Sequence, residues 1–167
     1  MRIVDSFLAE MDQEAGATRR LLERLPEDKL SWKPHPKSMS LGKLAMHVAT
    51  CNANIAGMGK ADSYDFMAPH DPEPEAKSRT QILAAFDKSL KDAKEILNQV
   101  DDAKAMATWS GSAGGKPVMS MPRAGLYRVI MCSHQYHHRG QLTVYLRLLD
   151  VPIPPVYGPS ADENPFA

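Results

Sequence analysis

The sequence holds little cysteine and no surplus of charge. Two cysteines, Cys51 and Cys132, occur in 167 residues, too few for a disulfide framework. Each lies in a segment of helical apolar periodicity, so both read as small buried thiols of a reducing compartment, and the expected location is the cytoplasm. Lys plus Arg and Asp plus Glu both number 20. With a formal net charge of zero, bulk electrostatics give no reason to expect a nucleic-acid partner. No apolar run approaches the roughly 18 residues of a membrane-spanning helix, so no membrane partner is expected either. The opening Met-Arg-Ile-Val-Asp-Ser is acidic and helically periodic, which predicts a helix and not a secretory signal. There is no internal repeat and no low-complexity segment.

What is present is ordinary for a globular protein: 43% hydrophobic and 24% charged residues. The length fits one domain over 1–167. Val4, Leu8, Met11, Ala15, Thr18, Leu22 and Leu25 alternate at spacings of three and four, predicting an amphipathic helix that ends at Leu25-Pro26. Pro26, Pro34 and Pro36 then forbid a continuous helix to Ser40. Trp32, among them, reads as a plug over the end of the core, with ligand contact as the alternative. Ser40 is placed to cap a second helix with Leu41, Leu44, Val48, Cys51 and Ile55 on its apolar face. Residues Lys60 to Ala76 form a long connection, with His70 exposed in it. Ser78 or Thr80 opens a third helix carrying Ile82, Phe86, Ser89, Ala93, Ile96 and Val100. Trp109-Ser-Gly-Ser-Ala-Gly-Gly115 and Lys116-Pro-Val-Met-Ser120 suggest a hairpin-like excursion, and no G-x4-G-K-[ST] phosphate loop is present. A fourth helix runs from about Arg123 to Leu149, stopped by Val151-Pro-Ile-Pro-Pro155. The aromatic-bearing tail beyond is expected to pack back on the domain. Four amphipathic helices with long links predict an all-α four-helix bundle with crossover connections.

The fourth helix carries His134-Gln-Tyr-His-His-Arg-Gly-Gln-Leu142. His134 and His138 are one turn apart on the stripe of Leu126, Ile130, Leu142, Tyr145 and Leu149, with His137 at its edge. Imidazoles facing a core need partners, since an unpaired buried polar group costs roughly 1–3 kcal/mol. Either hydrogen bonds or a shared metal ion satisfies them. His47 falls on the apolar face of the second helix, where a hydrogen-bonded core histidine is the competing reading. Three neutral imidazoles on facing helices leave coordination positions open, which is the arrangement of a catalytic centre. Gln141 is placed to orient a ligand, or simply to pack. Arg139 and Arg147 are within reach of a substrate carboxylate, but exposed surface charge is the favoured reading.

Three segments, Trp32-Lys-Pro-His-Pro-Lys-Ser38, Leu41-Gly-Lys-Leu-Ala-Met-His47-Val48 and His134 to Leu142, resemble the DinB/YfiT-like superfamily. The ending, with Val144-Tyr-Leu-Arg147, Val151-Pro-Ile-Pro154 and Tyr157-Gly-Pro-Ser-Ala-Asp162, is similar to its DinB branch. The likeness spans nearly the whole chain, and H-x3-H-R-G-Q is its most specific part. It implies a four-helix bundle of unusual connectivity, a homodimer, and a divalent metal, zinc or nickel, held by His47, His134 and His138, with His137 outside that set. Among such relatives are proteins that transfer low-molecular-weight thiols such as bacillithiol, use mycothiol in isomerisation, or are regarded as metal-dependent hydrolases.

The residues bear on which reaction to expect. Hydrolytic H-E-x-x-H helices carry a glutamate base between their ligands, whereas here Gln135, Tyr136 and His137 intervene. A thiol nucleophile activated by a metal needs such a base less than water does. The expected activity is therefore transfer of a small thiol to a small-molecule electrophile, in stress or detoxification, with His137 and Gln141 as catalytic candidates. Asp162 or Glu163 would supply a base if the tail covered the site. A hydrolase and a non-catalytic metal-binding stress protein are the alternatives.

Overall fold

A computed structural model of the chain describes residues 1–69 and 75–166; His70 lies outside them. Helices α1 (Ile3–Glu23), α2 (Leu41–Met58), α3 (Arg79–Asn98) and a short α4 (Asp102–Met106) precede a last helical run. That run consists of α5 (Arg123–Gly125), a π-helical segment (Leu126–Cys132) and α6 (Ser133–Leu148). The caps fall where hydroxyls were available. The Ser40 hydroxyl accepts the Lys43 amide at 3.2 Å and that of Ser78 accepts the Gln81 amide at 3.1 Å. Each satisfies one of the amides left unpaired at a helix start.

Contacts between helices fix their directions. Cys51, His47 and Met39 of the α2 region meet Met131, His134 and Tyr145 in that order, so α2 runs antiparallel to α6. Asp12 and Arg19 of α1 meet Lys94 and Asp87, so α1 is antiparallel to α3. At one end Arg79 bonds the Glu27 carboxylate through its amide, and Glu75 accepts the Ser40 hydroxyl. The starts of α2 and α3 therefore lie together and the two helices run the same way, so the link between them is a crossover. Buried side chains form two clusters along these helices. One is built on Leu21, Leu22, Leu44, Val48, Ile82, Phe86 and Leu142. The other is built on Phe7, Met11, Ile55, Leu97, Trp109, Leu126 and Tyr127. Trp32 packs half-buried on the first cluster with its ring edge-on to Tyr145, 5.8 Å between centroids, as the plug reading expects.

The chain is mostly helical, but the all-α expectation needs correcting. β1 (Ser63–Asp65), β2 (Thr108–Ala113) and β3 (Lys116–Pro122) form a three-stranded sheet in that order. β1 pairs parallel to β2 inside what reads in sequence as an unstructured connection, and β2 pairs antiparallel to β3 as a hairpin. Gly114 and Gly115, with φ of 58° and 77°, make the hairpin turn in the left-handed region that glycine tolerates. Their amides donate to the Asp65 carboxylate at 3.0 and 2.9 Å, so β1 is stapled to the turn. Trp109 on β2 is fully buried, and its indole N–H donates to the Met58 carbonyl at the end of α2. The sheet thus closes the end of the helices away from the caps.

Candidate metal centre

His47 projects from α2, and His134 and His138 from the facing side of α6. Their ring nitrogens lie within 4.8 Å of one another, and all three side chains are half-buried. The Nε2 atoms of His47 and His134 are 3.0 Å apart. The ring centroids of His138 lie 4.5 Å from His47 and 4.4 Å from His134. The His47–His134 pair of this cluster has the spacing of two ligands on one ion. Metal–nitrogen bonds of about 2.0–2.1 Å separate two ligand nitrogens by about 2.9 Å at a right angle and about 3.4 Å at the tetrahedral angle. The observed 3.0 Å falls within that span.

The electrostatics suit ligation as well. Burial, followed by the neighbouring His138, His47 and His137, pushes the His134 imidazolium down to about 4. Burial also lowers His138, against an opposing hydrogen bond from Gln141. Both rings are therefore neutral at pH 7, the state in which a lone pair is free for a metal. The Gln141 Oε1 sits 2.8 Å from His138 Nδ1. With a carbonyl oxygen facing it, Nδ1 donates, and Nε2 of His138 keeps its lone pair. This is the outer contact that commonly orients a ligating imidazole.

The π-helical segment explains where the histidines end up. A π turn inserts a residue into the helical count, so the buried stripe passes through Tyr127, Met131, Gln135, Arg139, Leu142 and Leu146. His134 and His138 therefore lie on the flank of the core face and not on its centre, where uninterrupted periodicity puts them. Reagents in solution can reach a flank. His137 is exposed, its ring 4.9 Å from that of His138, and it is outside the converging set. The tail does pack back, but its carboxylates are used elsewhere. Asp162 pairs with Arg147 and accepts the Ile153 amide at 2.8 Å, and Glu163 pairs with Arg24 at 2.6 Å.

Two arginines are buried in the fold. Arg139, expected as surface charge, is 2% exposed and pairs with Glu14 of α1 at 2.6 Å. It also donates to Thr18 and to the Tyr157 hydroxyl, with the Tyr136 and Tyr157 rings against its guanidinium. Arg123 is fully buried and donates to the carbonyls of Gly59 and Lys104, each at 2.7 Å, and to Asp62. A cation in the first turn of a helix opposes the helix dipole. That misplaced charge was the one signal for Arg123 in the sequence.

A mostly helical chain with three convergent histidines on two long antiparallel helices is a class of protein that can be compared as a whole. The sequence profile of the DinB family matches residues 1–164, and the chain belongs to that family. It is 27% identical over 172 residues to YrdA of Bacillus subtilis (strain 168), covering 96% of this chain and 91% of that protein. Its fold is similar to the crystal structure of a DinB-like protein from Bacillus cereus ATCC 10987. The TM-score is 0.72 at 23% identity, over 92% of this chain and 97% of the other. The DinB-like YjoA of Bacillus subtilis gives 0.70 at 20%, over 91% and 97%.

Proposed function

We propose that this DinB-family chain is a cytoplasmic, metal-dependent enzyme that transfers a low-molecular-weight thiol to small electrophiles. In this reading His47, His134 and His138 hold one divalent ion, zinc or nickel, in a single four-helix-bundle domain that pairs as a homodimer. The observation that carries it is the convergence of three ring nitrogens within 4.8 Å. A bound divalent cation supplies Lewis acidity, which lowers the pKa of a thiol or water beside it. The thiol then loses its proton, its sulfur forms the new bond to carbon, and the leaving group departs with the electron pair of the old bond. Gln141 fixes the His138 ring, and exposed His137 stands beside it as the candidate proton acceptor. The residues between the two ligands of α6 are Gln135, Tyr136 and His137, and a helix that offers no glutamate base there favours a thiol over water as nucleophile.

The test is metal analysis of gently purified protein, followed by loss of an alkylating electrophile with and without added thiol. Thiol-stimulated loss that requires the metal supports transfer. Turnover of esters without thiol would point to the hydrolase instead, and metal without any turnover to a binding protein.

A further inference from the structure

One turn before His47 on α2, Lys43 enters the wall of a hollow of about 500 Å3 that also takes in Lys33, Lys37, Ser38, Ser40 and Glu75. Local chemistry brings the lysines together. Pro34 and Pro36 keep the segment out of helix. A turn closed by the Ser38 amide on the His35 carbonyl at 2.9 Å, with the Lys37 amide on His35 Nδ1, bends Lys33 and Lys37 toward the same side. All three lysines are exposed, and among the described residues none has an ion-pair partner. Among the described residues Glu75 is the one carboxylate in the wall, and it accepts the Ser40 hydroxyl at 3.0 Å. Three ammonium groups around one hollow repel one another, and an oxyanion between them reverses the sign of that energy. Lys43 of the hollow's wall and His47 share one helix, α2. Four residues of helix separate Lys43 from His47, about 6 Å. On the facing helix Tyr145, one turn past Gln141, bonds the Met39 carbonyl beside the hollow.

We infer that this hollow is the subsite for the acidic end of the small molecule that reacts at the histidines. Lys33, Lys37 and Lys43 hold its carboxylate or phosphate, and its reactive group extends one helical turn to His47, His134 and His138. The inference rests on the metal-centre reading for what lies at the other end, and it defines the substrate class as anionic.

The experiment titrates the full-length metal-free protein with succinate and, separately, with pyrophosphate at low ionic strength, followed by calorimetry and amide NMR shifts. Lys33→Met/Lys37→Met/Lys43→Met is compared with Lys88→Met/Lys91→Met/Lys94→Met, which removes the same charge from α3. The hollow triple should weaken the preferred anion about tenfold, from three partly solvated pairs, and the α3 triple should leave it unchanged. Glu75→Gln should tighten it. The preferred anion tells carboxylate from phosphate. Equal weakening in both triples, no weakening in either, or no anion binding by the wild type overturns the subsite. Parallel metal titrations separate the two readings: a protein that binds metal but no anion loses the subsite alone, and one that binds anions but no metal loses the metal centre alone.

Discussion

His138 and Gln141 show how a single side chain is made into a ligand. The amide oxygen at 2.8 Å fixes which ring nitrogen carries the proton, so Gln141→Ala should weaken metal binding roughly tenfold without abolishing it. Metal titration of the apoprotein checks this, and an unchanged affinity would show that Gln141 merely packs. His134 makes a second prediction at the same scale, for the metal-free protein. Its folded pKa, pushed to about 4, lies below the ordinary value near 6.5. Between those values the unfolded chain binds a proton that the folded chain refuses, so stability falls as pH drops from 6.5 toward 4. Melting curves of wild type should drop across that window, and those of His134→Ala should drop less. Matching profiles would contradict the burial argument. The three histidines were legible because imidazole is rare on an apolar stripe. Glu14 was not. A glutamate reads as solvent-facing, and its partner Arg139 is far away in the chain.

At the scale of elements, periodicity found the long helices and the buried faces of two of them, Leu41, Leu44, Val48, Cys51 and Ile55 on α2 and Ile82, Phe86, Ser89 and Ala93 on α3. On α1 the stripe of Val4, Met11, Thr18, Leu22 and Leu25 is buried, but Leu8 and Ala15 are only partly so, and Phe7, Glu14 and Leu21 complete the face instead. On the last helix the π-helical segment shifts the phase, and no count at 3.6 residues per turn anticipates that. β1 escaped notice because three residues hold no alternation to read, and its pairing with β2 is set by distant chain. The Glu14–Arg139 pair ties α1 to α6 beneath the histidines, and breaking it should be costly. Arg139→Met leaves a carboxylate buried without its counter-charge, a loss of about 3–5 kcal/mol. Adding Glu14→Leu should restore much of it. Urea unfolding of the two variants checks both signs, and a single substitution costing under about 1 kcal/mol would show that the pair is effectively solvated.

For the whole molecule, the fold's contribution is to bring one turn of α2 against one turn of α6 and to seal the far end with the small sheet. No helix among the described residues is long and apolar enough to cross a membrane. A homodimer is proposed from the family likeness and a net charge of zero, which opposes self-association only weakly, and sedimentation at high micromolar concentration decides it. The claim on which the rest depends is that His47, His134 and His138 form one metal site. Its most direct measurement is a zinc and nickel titration of purified apoprotein, wild type against single alanine variants of His35, His47, His134, His137 and His138. One ion per chain is expected, lost on replacing His47, His134 or His138 and retained on replacing His35 or His137. Greater damage from His137→Ala than from His138→Ala, or a wild type that takes up no metal, would contradict it.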